Sequence, residues 1–283
     1  MPGNRNLFLT GLPRSGTTLT AALVDSLSDS VCLSEPQWQS TWAQEADNPV
    51  EYVQRLCADF QRVRKILASG GEIPDRRDTH GELVLNYFPS LHGERRGEAT
   101  ATRLFQRPAL SSDFLLGMKH NALYACVLDY LSACEGFSIV AIVRHPVATI
   151  QSWRSVDLPI RQGRLPAGER FWPEIAHAGS PQADASTISR QLNIYARFCE
   201  RFLALRNRIT LIRYEDILRT PAKIGELLAR PYRRCATNVE CRTVAVSDQQ
   251  LVGQLHSYLK VHCPAILKMY PDLDCYEAGR LSF

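Results

Sequence analysis

The chain of 283 residues is long enough to bury a large core, and no long Pro/Gly/Ser linker or internal repeat divides it, so one domain over 1–283 is expected. A net charge of +4, with five lysines among 33 basic residues, is too mild for a nucleic-acid or membrane surface and suits a small anionic ligand. The N-terminus lacks a charged region followed by an apolar one, no run reaches about 18 apolar residues, and nine cysteines are scattered without a C-x-x-C pair. Together these disfavour a signal peptide, a membrane span and a zinc site, and lead us to expect a cytoplasmic protein with reduced thiols.

The first readable element is the apolar run Asn6-Leu-Phe-Leu-Thr10, a strand. It meets a tight turn holding Gly11, Pro13 and Gly16, after which Thr17 opens a helix with Leu19, Ala22, Leu23 and Leu27 at helical spacing. A glycine loop between strand and helix turns backbone N–H groups toward one point, and the positive end of the helix dipole lies behind it. That is an anion site. The nucleotide P-loop reads G-x-x-x-x-G-K-[ST], whereas Gly11 to Thr18 read G-LPRS-G-T-T, with Thr17 in the lysine position and a cation moved into the loop as Arg14.

GLPRSGTTL resembles the 5′-phosphosulfate loop of sulfotransferases that use 3′-phosphoadenosine 5′-phosphosulfate (PAPS), and its arginine form is similar to tyrosylprotein sulfotransferases and bacterial relatives. The resemblance implies that Arg14, Ser15, Gly16, Thr17 and Thr18 hold the phosphosulfate end of the donor. Golgi members of the family carry a membrane anchor, and none is read here.

Val31 to Ser34 is a short strand candidate that ends at Glu35-Pro36. The carboxyl ends of strands in a parallel α/β sheet border the ligand crevice, so Glu35 is either a carboxylate facing the anion loop or a surface residue before a turn. It lies 21 residues after Arg14, an interval similar to that of the general base in tyrosylprotein sulfotransferases. Residues 37–113 read poorly, apart from an amphipathic helix from about Val50 to Leu67. They are expected to contain acceptor-binding insertions, with Trp38 and Trp42 lining a pocket or sitting in the core.

Phe114 to Met118 reads as a strand ending at Lys119-His120, and Ala122 to Cys134 as one helix. Lys119 is either solvated or, as the resemblance implies, the cation that neutralises the leaving oxygen. His120 is the alternative base, since cytosolic sulfotransferases use a histidine near this lysine. Neighbours on an extended segment point to opposite faces, so Lys119 and His120 are not expected to enter one pocket together, and Glu35 is preferred.

Phe137 to Val143 is the strongest buried-strand signal, and it ends in Arg144-His145-Pro146. A P-loop NTPase commonly has an Mg²⁺-binding aspartate here, whereas this chain has a fixed cation. Pro146 starts a helix in which Ser152 follows Arg144 by eight residues. RHPVATIQSW is similar to the sulfotransferase motif in which arginine and serine bind the 3′-phosphate together. Residues 157–185 are expected to be a lid or acceptor loop, Ser189 to Leu205 a long helix, and Arg208 to Ile212 a strand. LIRYEDILRTP resembles the family's block bordering the adenine, with Tyr214 either at the adenine or packed under the next helix. Ser247 to Met269 reads as helical, and no G-x-x-G-x-W-K string follows.

The expected fold is α/β, three-layered around a central, mainly parallel sheet with a P-loop-like nucleotide site. The expected activity is transfer of a sulfuryl group from PAPS to a hydroxyl, less favourably an amine, of a small molecule, with no metal, no nucleic acid and no membrane partner. Two other classes stay open, a P-loop kinase and a non-catalytic binder of 3′-phosphoadenosine nucleotides. Acceptor and oligomeric state are not legible.

Overall fold

The computed structural model describes residues 5–85, 102–175, 186–233 and 238–282. In chain order the elements are β1 (Asn6–Gly11), α1 (Thr17–Asp25), β2 (Ser30–Ser34), α2 (Gln37–Glu45), α3 (Pro49–Ala68), β3 (Ile73–Asp75), β4 (Arg103–Phe105) and β5 (Leu115–Lys119). There follow α4 (Ala122–Cys126), α5 (Leu128–Leu131), β6 (Phe137–Val143), α6 (Pro146–Arg154), a 3₁₀ turn at Pro159–Gln162 and α7 (Pro166–Glu169). The remainder comprises α8 (Thr187–Ala204), β7 (Thr210–Arg213), α9 (Tyr214–Arg219), α10 (Ala222–Leu227), β8 (Asn238–Ala245), α11 (Gln249–His262), α12 (Pro264–Met269) and β9 (Cys275–Ser282).

Five strands form a parallel sheet in the order β2-β5-β1-β6-β7. Side chains alternate across it. Phe8 of β1 and Ile139, Ala141 and Val143 of β6 enter one apolar cluster with α3 and α8, while Leu7, Leu9, Val140 and Ile142 enter a second with α1 and α9. Both faces are therefore covered, as a parallel sheet with crossover helices requires. On the α3 face Phe8 anchors an aromatic group, its ring 4.8 Å from Phe60, 5.1 Å from Tyr124 and 4.9 Å from Phe137. This is the expected three-layer α/β architecture. The strand order reverses around β1, so the crevice at its carboxyl end is where such sheets take ligands.

β2 is an edge strand, yet its outer side is not left to solvent. Cys32 N–H donates to Asp25 Oδ1 at 2.9 Å, Ser34 N–H donates to Asp75 Oδ1 at 2.9 Å, and Arg77 Nη2 donates to Cys32 O at 3.0 Å. Buried side chains thus replace a further strand. All five N–H groups of Arg77 find acceptors, on Asp75, Asp25, Gly81 and Cys32.

The expected helix from Ala122 to Cys134 is two short helices that break at Val127 (φ −113°, ψ 20°). Arg201 Nη1 of α8 takes the carbonyls of Ala125 and Cys126 at 3.1 and 2.9 Å, replacing the intrahelical bonds that a continuous helix would make. The C-terminal helical stretch is also divided, because Pro264 has no N–H to continue it. The described part of the expected lid carries short helices with Ile160, Leu165, Phe171 and Trp172 buried in the core, and residues 176–185 lie outside the described residues. So does most of the polar stretch after residue 85. Among the described residues the cysteines are unpaired, no helix is long and apolar enough to cross a membrane, and no group of metal-ligating side chains occurs.

Candidate active site

The loop after β1 is shaped by two glycines. A Cβ on Gly11 would meet Ile142 O at 2.5 Å, so the loop lies flush against β6. Gly16 has φ +88°, and a Cβ there would sit 2.1 Å from the Tyr214 ring. Arg14 adopts a left-handed φ of 65°, an uncommon state for a residue with a side chain and one that clusters at functional loops. The loop is tied down from both sides. Ser15 Oγ donates to Ile142 O at 3.0 Å, and Trp153 Nε1 of α6 donates to Pro13 O at 2.7 Å.

Gly16 caps α1 without a side-chain hydrogen bond, and the first turn carries no acidic residue. The helix N-terminus, with Thr17 buried and Thr18 half-buried, therefore keeps its positive potential. Thr17 Oγ1 donates to Asn121 Oδ1 at 2.5 Å, and Thr10 Oγ1 donates to Asn121 O at 2.9 Å. Asn121 thus links the loop to the end of β5. No feature of the sequence singled it out.

Arg144 and Ser152 reach the same loop from β6 and α6. Arg144 Nη1 donates to Arg14 O at 3.1 Å, and Arg14 Nε donates to Ser152 Oγ at 3.3 Å. Ser152 therefore meets Arg14 directly and joins Arg144 through it. Arg144 is steered by its backbone carbonyl, which accepts from Tyr195 Oη at 2.9 Å and from Thr149 Oγ1 at 3.3 Å. Its guanidinium lies 4.9 Å from the Tyr214 ring centre, and its buried Nε has no hydrogen-bond partner. A buried, unpartnered cationic N–H is costly and marks a place where an anion fits.

Tyr214 is buried at the start of α9, with its ring against Gly16 and Arg144 and its hydroxyl donating to Gly279 O of β9 at 3.3 Å. Burial pushes its pKa up, so it stays a neutral phenol. The ring supports the loop from below.

Glu35 closes β2 with a left-handed φ of 52°, and its N–H donates to Lys119 O at 2.8 Å. Its side chain turns back to the neighbouring strand, where Lys119 Nζ donates to Oε1 at 2.7 Å, and Arg76 Nη1 donates to Oε2 at 3.3 Å. Lys119 is fully buried. Parallel pairing of β1 with β5 sets Lys119 opposite Leu9, two residues before Gly11, so this ion pair and the loop share one end of the sheet.

His120 follows Lys119 and lies beside Ser40 of α2 and Tyr124 of α4, within range of the Glu35 charge. Its Nε2 is 3.4 Å from Ser40 Oγ of α2, its Nδ1 is buried without a partner, and its ring is 5.7 Å from that of Tyr124. Burial pushes its pKa down to about 4, assisted by the charges of Lys119 and Arg76 and opposed by Glu35. The ring is neutral near pH 7. Trp38 and Trp42 are half-buried against the main core, and Trp38 Nε1 donates to Asp59 Oδ2 at 2.7 Å.

The structure thus gathers Arg14, Ser15, Gly16, Thr17, Arg144, Ser152 and Tyr214 around one loop, and Glu35 with Lys119 at the adjoining strand ends. It adds Asn121, Ser40 and Arg76, which lie in stretches without periodicity or motif.

Among solved structures, a sulfotransferase from Alicyclobacillus acidocaldarius is similar at a TM-score of 0.43 and 12% identity, covering 95% of this chain and 96% of that one. That likeness is too distant to locate any residue. No curated protein matches. The sequence profile described as the Sulfotransferase family matches residues 6–229, a span that holds the loop, the Glu35–Lys119 pair and the Arg144 to Ser152 segment. On that match, which covers most of its length, the chain belongs to the sulfotransferase family.

Proposed function

We propose that the protein transfers a sulfuryl group from PAPS to a hydroxyl of a small molecule. The observation that carries this reading is the joining of two cationic elements far apart in sequence: Arg144 bonds the carbonyl of Arg14, and Arg14 bonds Ser152. One end of the donor, its phosphosulfate, would lie on the loop amides with Arg14, Ser15, Gly16, Thr17 and Thr18. The other, its 3′-phosphate, would take the unpartnered N–H of Arg144 and the Ser152 hydroxyl. Tyr214 would support this cradle from beneath the loop. Fixing both ends aligns the sulfur for in-line attack.

In this reading Glu35 accepts the proton of the acceptor hydroxyl as its oxygen bonds to sulfur. The bond from sulfur to the bridging oxygen breaks, and its electron pair leaves on the 5′-phosphate of 3′,5′-diphosphoadenosine. Lys119 and Arg14 stabilise that oxygen. His120 is neutral near pH 7, with its pKa held at about 4, and stays the alternative base; turnover of Glu35→Gln and His120→Gln separates the two.

The acceptor would be bound by insertions within 37–113 and 157–185. The unpaired state of the described cysteines suits a reducing, cytoplasmic setting. Calorimetry with 3′,5′-diphosphoadenosine, AMP and ATP tests the donor. Tight binding of the first, lost without the 3′-phosphate and weakened in Arg144→Met, is expected. Equal affinity for AMP and 3′,5′-diphosphoadenosine removes the PAPS reading.

A further inference from the structure

We propose that Arg76 is a positioning residue for the Glu35 carboxylate, holding it ionised and oriented independently of Lys119. The inference rests on the reading of Glu35 as the base, and the experiment below separates the two.

Among the described residues, charged or titratable side chains from neighbouring elements act on Glu35. Lys119 comes from β5 and bonds Oε1, Arg76 follows β3 and bonds Oε2, and His120 lies just beyond β5. In the proposed reaction Lys119 must serve the leaving oxygen, which draws it away from the base as the bond to sulfur breaks. A carboxylate held by that lysine alone would then lose its anchor. Arg76 occupies the second oxygen, so the carboxylate keeps one cation throughout.

Its placement is built in. Asp75 and Arg77, on either side of Arg76, are almost fully buried and bonded to each other and to the free edge of β2, the strand that ends at Glu35. Arg76 is the centre of a tight turn in which Arg77 N–H donates to Asp75 O at 3.1 Å, and with both neighbours turned to β2 its own side chain is left to reach Glu35. The backbone is also fixed, since Val84 N–H donates to Arg76 O at 3.2 Å. The clamp that closes the sheet edge therefore delivers the guanidinium to the catalytic carboxylate.

The test is the titration of the Glu35 side-chain carboxyl by ¹³C NMR, assigned with Glu35→Gln, in the ligand-free full chain. Removing a nearby cation destabilises the carboxylate, so Arg76→Met raises the Glu35 midpoint by about one pH unit, and Arg76→Lys restores most of it. The same rise is expected when Arg76→Met is added to Lys119→Met. Should Arg76→Met fail to fold, Arg76→Gln gives the same reading. An unmoved midpoint, an equal shift in Arg76→Lys, or loss of the effect in the Lys119→Met background overturns the proposal. Turnover of Glu35→Gln with PAPS runs alongside. Full activity of that variant would remove Glu35 as the base while leaving the Glu35 midpoint to report on Arg76.

Discussion

Acidification is expected to destabilise this fold through one buried ring. His120 is 8% exposed with an unpartnered Nδ1, and burial holds its pKa at about 4 against an ordinary value of 6.5. Between those values the unfolded chain binds a proton that the folded chain does not. The stability contributed by the neutral ring is therefore complete above pH 6.5 and is lost as the pH falls toward 4. Each unit is worth about 1.4 kcal/mol, so the loss is roughly 2 kcal/mol by about pH 5 and roughly 3 kcal/mol by about pH 4. Other groups are shifted as well. Burial lowers His145 and raises Glu215 and Asp75, with opposite effects on stability, so the wild type alone would not isolate His120. The assay is urea unfolding of wild type and His120→Asn across the range from about pH 7.5 to about pH 5, with the difference between the two plotted against pH. Wild type should lose about 2 kcal/mol more than the variant over that range. A difference that stays flat refutes the account of a neutral, desolvated His120.

Three further outcomes follow from the geometry. Gly16→Ala combines a φ of +88° with a Cβ 2.1 Å from the Tyr214 ring, so it should cost about 1–3 kcal/mol and weaken nucleotide binding; a variant with normal melting and normal affinity contradicts the packing. Arg77→Leu leaves Asp25 and Asp75 buried beside an open sheet edge, and should destabilise by about 3–5 kcal/mol in urea titrations. A loss below about 1 kcal/mol would mean that the edge is closed some other way. Glu35→Gln should lower sulfuryl transfer from PAPS by about 10²–10⁴-fold while 3′,5′-diphosphoadenosine affinity is retained, and full turnover in that variant removes Glu35 as the base.

What the sequence determined on its own was local. Each strand of the parallel sheet has its own apolar run, and the loop from Gly11 to Thr18 is a contiguous string whose glycines and arginine state their backbone demands directly. Lys119 and Arg144 were legible because they stand where an apolar run stops, and a strand's end in a parallel sheet is where ligands bind. The helix after Ala122 was misread as continuous because apolar periodicity cannot see Arg201, distant in sequence, taking the carbonyls at its break.

Tertiary structure alone decided the partnerships. Ser152 meets Arg14 rather than Arg144 directly, Asn121 clamps Thr17, and Tyr214 lies under Gly16. The Arg76 to Glu35 contact joins residues 41 apart, and the hydrogen bonds of Asp75 with Ser34 N–H and of Arg77 with Cys32 O fasten that segment to β2. None of these leaves a periodic or motif signature, because each depends on where two separate chain segments are carried by the sheet. Backbone conformation and burial are written in neighbouring residues, whereas charge pairing across a fold depends on distance in space, which only the packed sheet supplies.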